Sequence, residues 1–103
     1  MDFRVVWSPE AIEDVDSIAT YISRDSKRYA TAVVVNFLNV ARDLTCSPHV
    51  GRVVPKIEDE LIRERIVYSY RLIYRLRDET ITIAAVFTAK DCWIHSLGAL
   101  MNS

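Results

Sequence analysis

The stretch YRLIYRLRDETITIAAVFT, residues 70–88, decides the fold. Apolar and polar residues alternate through 70–77 and again through 80–88, which is the two-residue period of half-buried β-strands. Asp78 and Glu79 stand between the two runs, where two residues suffice for the tip of a hairpin. This hairpin gives a definite set of facing residues: Arg77 with Thr80, Arg75 with Thr82, Tyr74 with Ile83 and Leu72 with Ala85.

The predicted pairing sorts the side chains onto two faces of a sheet. One face is mostly apolar and is expected to lie under helices; it collects Tyr70, Leu72, Tyr74, Leu76, Ile81, Ile83, Ala85 and Phe87. The other face carries three arginines; it collects Arg71, Ile73, Arg75, Arg77, Thr80, Thr82, Ala84 and Val86. Asp-Glu is a poor dipeptide for a type I′ turn, so a longer loop or a one-residue slip stays open.

The residues before this hairpin predict a strand and two helices. Phe3–Trp7 is a short apolar strand, and Ser8-Pro9-Glu10 is a strong helix start. Apolar residues then recur at helical spacing up to Ile22, with an acidic outer face formed by Glu10, Glu13, Asp14 and Asp16. A second helix starts after Asp25 or Ser26 and runs to Leu44, which predicts an antiparallel helix hairpin.

A linker and one more strand complete the prediction. In the linker, Gly51 is expected to supply a turn dihedral that other residues resist. Leu61–Ile66 is a strand, so three strands form a mainly antiparallel meander. The predicted class is α+β, with residues 1–103 forming a single domain.

The last residues, 91–103, leave two alternatives open. A short C-terminal helix could return to the core, or an apolar tail could stay exposed as a partner-binding surface. Their apolar positions lie near helical spacing: Trp93, Ile94, Leu97, Leu100 and Met101.

Composition limits the classes of protein that remain. With 103 residues, 50% hydrophobic and 26% charged, the chain can bury one core, and disordered, collagen-like and disulfide-framework proteins are excluded. No apolar run approaches the ~20 residues that span a bilayer, and Met1-Asp2-Phe3-Arg4 is no secretory leader, so a cytoplasmic protein is expected. Cys46 and Cys92 form no metal pattern and are expected to be buried, reduced thiols.

Familiar catalytic motifs are absent from the sequence. There is no glycine-rich phosphate loop, GxSxG elbow, HExxH motif or EF-hand loop, so no cofactor or metal is expected. His49 and His95 are more typical of surface or packing histidines than of a general base.

The basic residues provide the one chemical signal. Seven of the 13 lysines and arginines lie between residues 50 and 77, although the whole chain has a formal net charge of -1. Guanidinium groups bind phosphate or carboxylate, and interleaved tyrosines offer stacking faces, so the group suits nucleic acid or an acidic peptide. The competing interpretation is a solvated sheet face whose arginines pair with Glu58, Asp59, Glu60 and Glu64. The basic residues are Arg52, Lys56, Arg63, Arg65, Arg71, Arg75 and Arg77, and the tyrosines are Tyr68, Tyr70 and Tyr74.

The order of these elements and the sequence motifs within them resemble the RelE/ParE toxin superfamily of type II toxin-antitoxin modules over residues 3–88. The resemblance rests on WSPEA at 7–11, Pro48, Gly51-Arg52, Arg63-Glu64, SYRLIYR at 69–75 and TITI at 80–83. It implies a small toxin, of the plasmid-stabilisation type, that is neutralised by the C-terminal segment of a cognate antitoxin. RelE-like members cleave mRNA on the ribosome, whereas ParE-like members inhibit DNA gyrase.

The sequence departs from the RelE pattern after the last strand. Many relatives carry a histidine and one or two arginines there, whereas this chain has Thr88, Lys90 and Asp91. No obvious base remains to activate a ribose 2′-OH, and the near-neutral charge suits ribosomal RNA poorly. The resemblance therefore favours a ParE-like gyrase inhibitor without its own active site; the alternatives are a RelE-like mRNA endonuclease and a non-toxic antitoxin-binding relative.

Site residues follow from these alternatives. As an mRNA endonuclease the chain would use Lys56, Arg63, Arg71, Arg75 and Lys90. The candidate partner-binding residues are Arg52, Arg63, Arg65, Arg71 and Arg75, and we expect Arg63, Arg71 or Arg75 to meet acidic residues of the antitoxin.

Overall fold

A computed structural model describes residues 3–54, 57 and 59–88 of the chain. In chain order the elements are β1 (Arg4–Trp7), α1 (Pro9–Ser23), α2 (Lys27–Asp43), β2 (Arg52–Val53), β3 (Ile62–Val67), β4 (Tyr70–Arg77) and β5 (Thr80–Thr88). The predicted α+β class, first strand, helix hairpin and three-strand meander are confirmed. Two details differ: β3 lies one residue later than predicted, and the linker contains the short strand β2.

Both helices begin at serine caps. The Ser8 hydroxyl accepts a hydrogen bond from the Ala11 amide at 3.1 Å, and Pro9 occupies the first turn, where its missing N–H costs nothing. Of the two predicted caps for α2, the structure uses Ser26, whose hydroxyl accepts from the Tyr29 amide at 3.1 Å. These caps fix the residue at which each helix starts.

The five strands form one sheet in the order β1-β5-β4-β3-β2. β1 pairs with β5 in parallel, from Arg4 opposite Thr80 to Trp7 opposite Ile83, and the other neighbours are antiparallel. Both helices and the strands β2, β3 and β4 lie in the connection between this parallel pair, and the helices lead the chain from β1 to β2 at the opposite edge of the sheet. Consequently the first and last strands of the described chain lie side by side.

The main core lies between the helices and one face of the sheet, which we call the helix face. Phe37 and Leu44 from the second helix and its C-terminal cap pack there, together with Leu72, Tyr74 and Ile81 from the sheet. A second, smaller cluster lies on the opposite, outer face; its buried members are Val54, Ile62, Ile73, Ala84 and Ala85.

The predicted register of the β4–β5 hairpin is correct near the turn and wrong beyond it. Arg77, Arg75 and Tyr74 face the predicted partners, but a β-bulge follows, so Leu72 faces Val86 instead of Ala85. An extra residue in one strand reverses the alternation of side chains that follow it. Ala85 and Phe87 therefore join the outer face, and Val86 joins the core under the helices.

Side chains from the start of α1 hold the bulge. The Ser8 hydroxyl donates to the Ala84 carbonyl at 3.1 Å, and the Val86 amide donates to Asp14 Oδ2 at 2.9 Å. Asp14 is therefore half-buried, and its predicted place on a solvated acidic face is wrong. Burial raises the pKa of its carboxyl, and Glu13 and Glu10 raise it further, while the Val86 hydrogen bond lowers it.

Of three local predictions, one is confirmed and two are wrong. The two-residue tip at Asp78-Glu79 is confirmed: both residues take the left-handed conformation of a type I′ turn, with φ of 50° and 63°. Gly51 has no positive φ, so its predicted turn role is wrong. Cys46 is exposed rather than buried, while Cys92 and the alternatives for residues 91–103 lie outside the described residues.

Candidate functional site

The outer face of the sheet carries most of the arginines that the sequence singled out, and the bulge in β5 divides it into two parts. Toward the bulge and beyond it lie Arg52, Glu64 and Arg71, which we call the paired arginine cluster. Toward the β4–β5 turn lie Arg4, Arg75 and Arg77, which we call the open arginine row. The strand registers fix both groups, since directly opposite residues share a face.

In the paired arginine cluster, one buried carboxylate binds two guanidinium groups. Glu64 has a side chain only 1% exposed; Arg52 lies directly opposite on β2, and Arg71 lies diagonally on β4. Arg52 Nη2 donates to Glu64 Oε2 at 2.9 Å, and Arg71 Nη1 donates to Oε1 at 2.7 Å and Oε2 at 2.9 Å. The competing interpretation of paired arginines is therefore correct for these two residues.

Arg63 is also bound internally. Its Nη1 donates to the carbonyls of His49 at 3.1 Å and Gly51 at 2.9 Å, and its Nε donates to the Glu60 carbonyl at 3.0 Å. Because all three acceptors belong to loops, the guanidinium ties the linker and the loop before β3 to the sheet. Arg63 thus has a structural role that its place in the sequence did not reveal.

Tyr74 secures the same linker from within the core. Its buried hydroxyl accepts from the Gly51 amide at 2.9 Å and donates to the Pro48 carbonyl at 2.9 Å. A Cβ at position 51 would come within 2.8 Å of both the Tyr74 ring and the Glu64 carbonyl oxygen, so the glycine is needed for close approach. Burial raises the pKa of the Tyr74 hydroxyl, although the Gly51 hydrogen bond and the charges of Arg63 and Arg65 lower it.

The open arginine row differs because its guanidinium groups have weak partners. Arg4 Nη2 lies 3.4 Å from the hydroxyl of Thr80, the residue opposite both Arg4 and Arg77. Arg77 Nε lies 4.0 Å from Asp78 Oδ2, and both of those side chains are largely exposed. Within the described ranges, neither Arg4 nor Arg75 lies within ion-pair distance of a carboxylate.

The remaining candidate residues differ in where they lie. Arg65 is partly exposed on the helix face of β3, and in the described part of the chain it forms no ion pair or side-chain hydrogen bond. Lys56 and Lys90 lie outside the described residues. Sequence reasoning missed Arg4, because only the parallel pairing of β1 with β5 brings it to this face; the alternation of Val5 and Trp7 toward the core was the available signal.

Tyr70 and Tyr74 lie on the helix face, as the alternation predicted, and not among the arginines of the outer face. Tyr70 packs edge-on against Phe37 under the helices, with ring centroids 5.6 Å apart, and burial raises its pKa. Tyr68, at φ 57° in the β3–β4 turn, accepts from Asn36 Nδ2 at 2.6 Å and meets the ring of Tyr29. The one aromatic side chain that the described strands place on the outer face is Phe87, opposite Arg71, and it is partly buried against the outer-face cluster.

Two shallow clefts lie elsewhere on the surface, one of them reaching Arg77. One, of about 470 Å³, follows the α1–α2 hairpin beside Ala19, Ala30 and Val34. The other, of about 300 Å³, lies at the β4–β5 turn beside Phe3, His49 and Arg77. In the described residues, no group of three or more histidine, cysteine or acidic side chains is placed to hold a metal ion, and neither helix is long and apolar enough to cross a membrane.

Comparisons with solved structures find toxins of both kinds. The chromosomal ParDE system from P. aeruginosa contains a chain that is 18% identical, with a TM-score of 0.69, covering 84% of this chain and 95% of that one. E. coli toxin RelE, as a mutant in the free state, is 16% identical with a TM-score of 0.69 and 98% of each chain covered. In the toxin-antitoxin complex RelBE2 from Mycobacterium tuberculosis, a chain is 26% identical with a TM-score of 0.55, covering 85% and 99%.

The sequence comparisons narrow the family further. No curated protein sequence matches the chain significantly. The family model described as the ParE toxin of the type II toxin-antitoxin system parDE matches residues 5–93, which is most of the chain. The chain therefore belongs to the ParE toxin family, within the ParE/RelE-type toxins of toxin-antitoxin systems.

Proposed function

We propose that this toxin acts as a binding protein on DNA gyrase, stabilising the cleaved enzyme–DNA complex, and that a cognate antitoxin neutralises it. The family match with ParE toxins supports the target, and the pairing of Arg52 and Arg71 with Glu64 carries the argument against RNA cleavage. Gyrase as the target implies activity in the cytoplasm.

A ribonuclease needs cations for the pentavalent phosphorane and a group that removes the 2′-OH proton. Arg71 is instead bound to a buried carboxylate, and the charge of Glu64 weakens the attraction of this cluster for a phosphate. The guanidinium of Arg63 is occupied by three carbonyls, and the hydroxyl of Tyr74 bonds the linker on both sides. These commitments leave the predicted endonuclease residues of β3 and β4 poorly suited to general acid–base work.

The same internal hydrogen bonds and ion pairs reduce the number of arginines that are candidates for the antitoxin contact. Of the candidate partner-binding residues, Arg65 and Arg75 keep their guanidinium groups unpaired within the described residues, whereas Arg63 and Arg71 do not. Acidic antitoxin residues would therefore meet Arg65 or Arg75. If Arg65→Gln and Arg75→Gln together left antitoxin affinity unchanged, this assignment would be wrong.

The target is tested with purified toxin in a gyrase supercoiling assay on relaxed plasmid. We expect loss of supercoiling and an accumulation of linear DNA once gyrase is denatured and digested, with heat-denatured toxin as the control. No inhibition at micromolar excess would overturn the gyrase proposal.

Primer extension on mRNA translated in vitro tests the RelE-like alternative. Codon-positioned cuts would support an mRNA endonuclease. The Glu64→Gln variant adds a sharper comparison: removing the negative charge should increase such cutting if Arg71 serves catalysis, and it should leave mRNA intact if the toxin acts on gyrase.

A further inference from the structure

We infer that the open arginine row, Arg4, Arg75 and Arg77, binds the phosphate backbone of duplex DNA. The inference rests on the proposed function, because gyrase holds its DNA substrate while the toxin acts on it. A toxin that touches both enzyme and DNA would stabilise their cleaved complex in a way that a purely protein-binding toxin would not.

The strand geometry spaces the three guanidinium groups over a short stretch of backbone. Arg75 and Arg77 are two residues apart on one face of β4, hence about 7 Å, and Arg4 lies two strands from Arg77, hence about 10 Å. The hydroxyls of Thr80 and Thr82 lie on β5 between them, opposite Arg77 and Arg75 respectively. Guanidinium and hydroxyl donors in this arrangement suit adjacent phosphate oxygens.

The charges distinguish this row from the paired arginine cluster. Glu64 is bonded to both Arg52 and Arg71, so its charge weakens the attraction of that end of the face for an anion. Among the described residues, Asp78 and Glu79 lie in the turn beside the row, and the Asp78 side chain is 93% exposed and 4.0 Å from Arg77. An exposed carboxylate at that distance weakens the attraction for phosphate without replacing it.

The neighbouring side chains favour duplex backbone over single strands. Sequence-tolerant binding of single-stranded nucleic acid uses aromatic side chains on which bases stack. On the outer face beside the row lie Val6 on β1 and Ile62 on β3, and no aromatic residue interrupts the two cross-strand rows from Arg4 to Arg77 and from Val6 to Ile62. Donors without a stacking surface fit phosphate contacts, which position a duplex and carry no sequence information.

Arg75 belongs both to this row and to the proposed antitoxin contact. An acidic antitoxin segment on Arg75 would therefore compete with DNA for the same guanidinium. Such competition would contribute to neutralisation without any change in the toxin's fold.

Fluorescence anisotropy with the purified toxin and a labelled 20-base-pair duplex of arbitrary sequence tests the inference. Three phosphate contacts predict a salt slope of about 2.7, equivalent to a roughly 40-fold loss of affinity between 50 and 200 mM salt. The combined variant Arg4→Gln, Arg75→Gln, Arg77→Gln should lose most of this slope. Its far-ultraviolet circular dichroism should match the wild type, which excludes loss of folding as the cause.

Two matched variants complete the design. Arg28→Gln removes an exposed arginine from α2 and should leave affinity and slope unchanged. The combined variant Asp78→Asn, Glu79→Gln should bind the duplex more tightly, because it removes the carboxylates beside Arg77. Equal affinity of the triple arginine variant and the Arg28→Gln variant would overturn the inference, as would tighter binding of a polyglutamate peptide than of the duplex.

The gyrase assay separates failure of this inference from failure of the proposed function. We expect the triple variant to trap at least tenfold less cleaved DNA while still binding gyrase in the absence of DNA. If the wild type inhibits gyrase and the triple variant traps cleaved DNA equally well, the DNA contact is wrong and the gyrase proposal stands. If the wild type does not inhibit gyrase, the proposed function fails, while the anisotropy measurement still decides whether the row binds DNA.

Discussion

The two arginine groups on the outer face of the sheet share a residue type and differ in what surrounds it. In the paired arginine cluster, Arg71 is 23% exposed and bound to a buried carboxylate on the neighbouring strand. In the open arginine row, Arg77 is 70% exposed and lies near the weakly held Asp78. Arginine content alone therefore does not identify a binding surface; the position of the nearest carboxylate decides which guanidinium groups remain available.

The difference has a structural origin in the strands that flank each group. β3 and the short β2 bring Glu64 and Arg52 beside Arg71, and the linker behind them is held by Arg63 and Tyr74. The arginines of the open row belong to β1 and β4, and the threonines of β5 lie between these two strands. The first group stabilises the linker end of the sheet, whereas the second has only weak polar partners within the described residues.

The largest effect that tests this distinction is expected from Glu64→Ala. The substitution leaves Arg71 partly buried without its counter-charge, which should lower the free energy of unfolding by about 3 kcal/mol in urea titrations. Glu60→Ala, in the exposed loop before β3, is the matched control and should change stability by less than about 0.5 kcal/mol.

Arg77→Gln provides the opposite test at the open row. Its expected effect on stability is also below about 0.5 kcal/mol, since exposed ion pairs contribute little. If Arg77→Gln destabilised the protein as much as Glu64→Ala, the two groups would not differ in the way we describe.

An intermediate effect is expected from Tyr74→Phe, which keeps the ring and removes the hydroxyl that holds the linker. The Gly51 amide and the Pro48 carbonyl would each lose a partner, which should cost about 1–3 kcal/mol of unfolding free energy. Tyr68→Phe, which removes an exposed hydroxyl near Asn36, is the matched control and should cost less. Equal losses in the two variants would show that the linker does not depend on the buried hydroxyl.

The fold was largely predictable because local signals dominate it. Alternation located β4 and β5, and Ser8-Pro9 located the start of α1. The site was predictable only in part: the sequence placed Arg71, Arg75 and Arg77 on one face, but Glu64 as the partner of Arg71 depends on a diagonal contact between strands. Arg4 joins that face through a parallel pairing across 76 residues of chain, which no local pattern encodes.

The β-bulge that separates the two arginine groups was not predictable either, because polar groups from α1 hold it. Ser8 and Asp14 bond the backbone on either side of Ala85, and this contact reverses which side chains of β5 reach the outer face. Alternation within β5 predicts an uninterrupted register with β4. The break depends on contacts with α1, which the strand sequence does not encode.

The effect of the Asp14 charge on stability depends on pH. The folded pKa of its carboxyl is raised above the ordinary value of 3.8, chiefly by burial, so the folded state binds the proton more tightly than the unfolded state does. Its contribution to stability is therefore fully present below pH 3.8 and is lost as pH rises through the folded pKa. Asp14→Asn keeps an oxygen acceptor for the Val86 amide without the charge, so wild-type stability relative to this variant should fall as pH rises through that window.

Asp14→Ala distinguishes the hydrogen bond from the charge. It removes the acceptor and should cost about 1–3 kcal/mol at every pH, since the Val86 amide is left without its partner at the bulge. Urea titrations of the three proteins between pH 3 and pH 7 measure both effects. A difference between wild type and Asp14→Asn that grew in favour of the wild type with rising pH would contradict the raised pKa, and with it the view that a half-buried carboxyl of α1 holds the boundary between the two arginine groups.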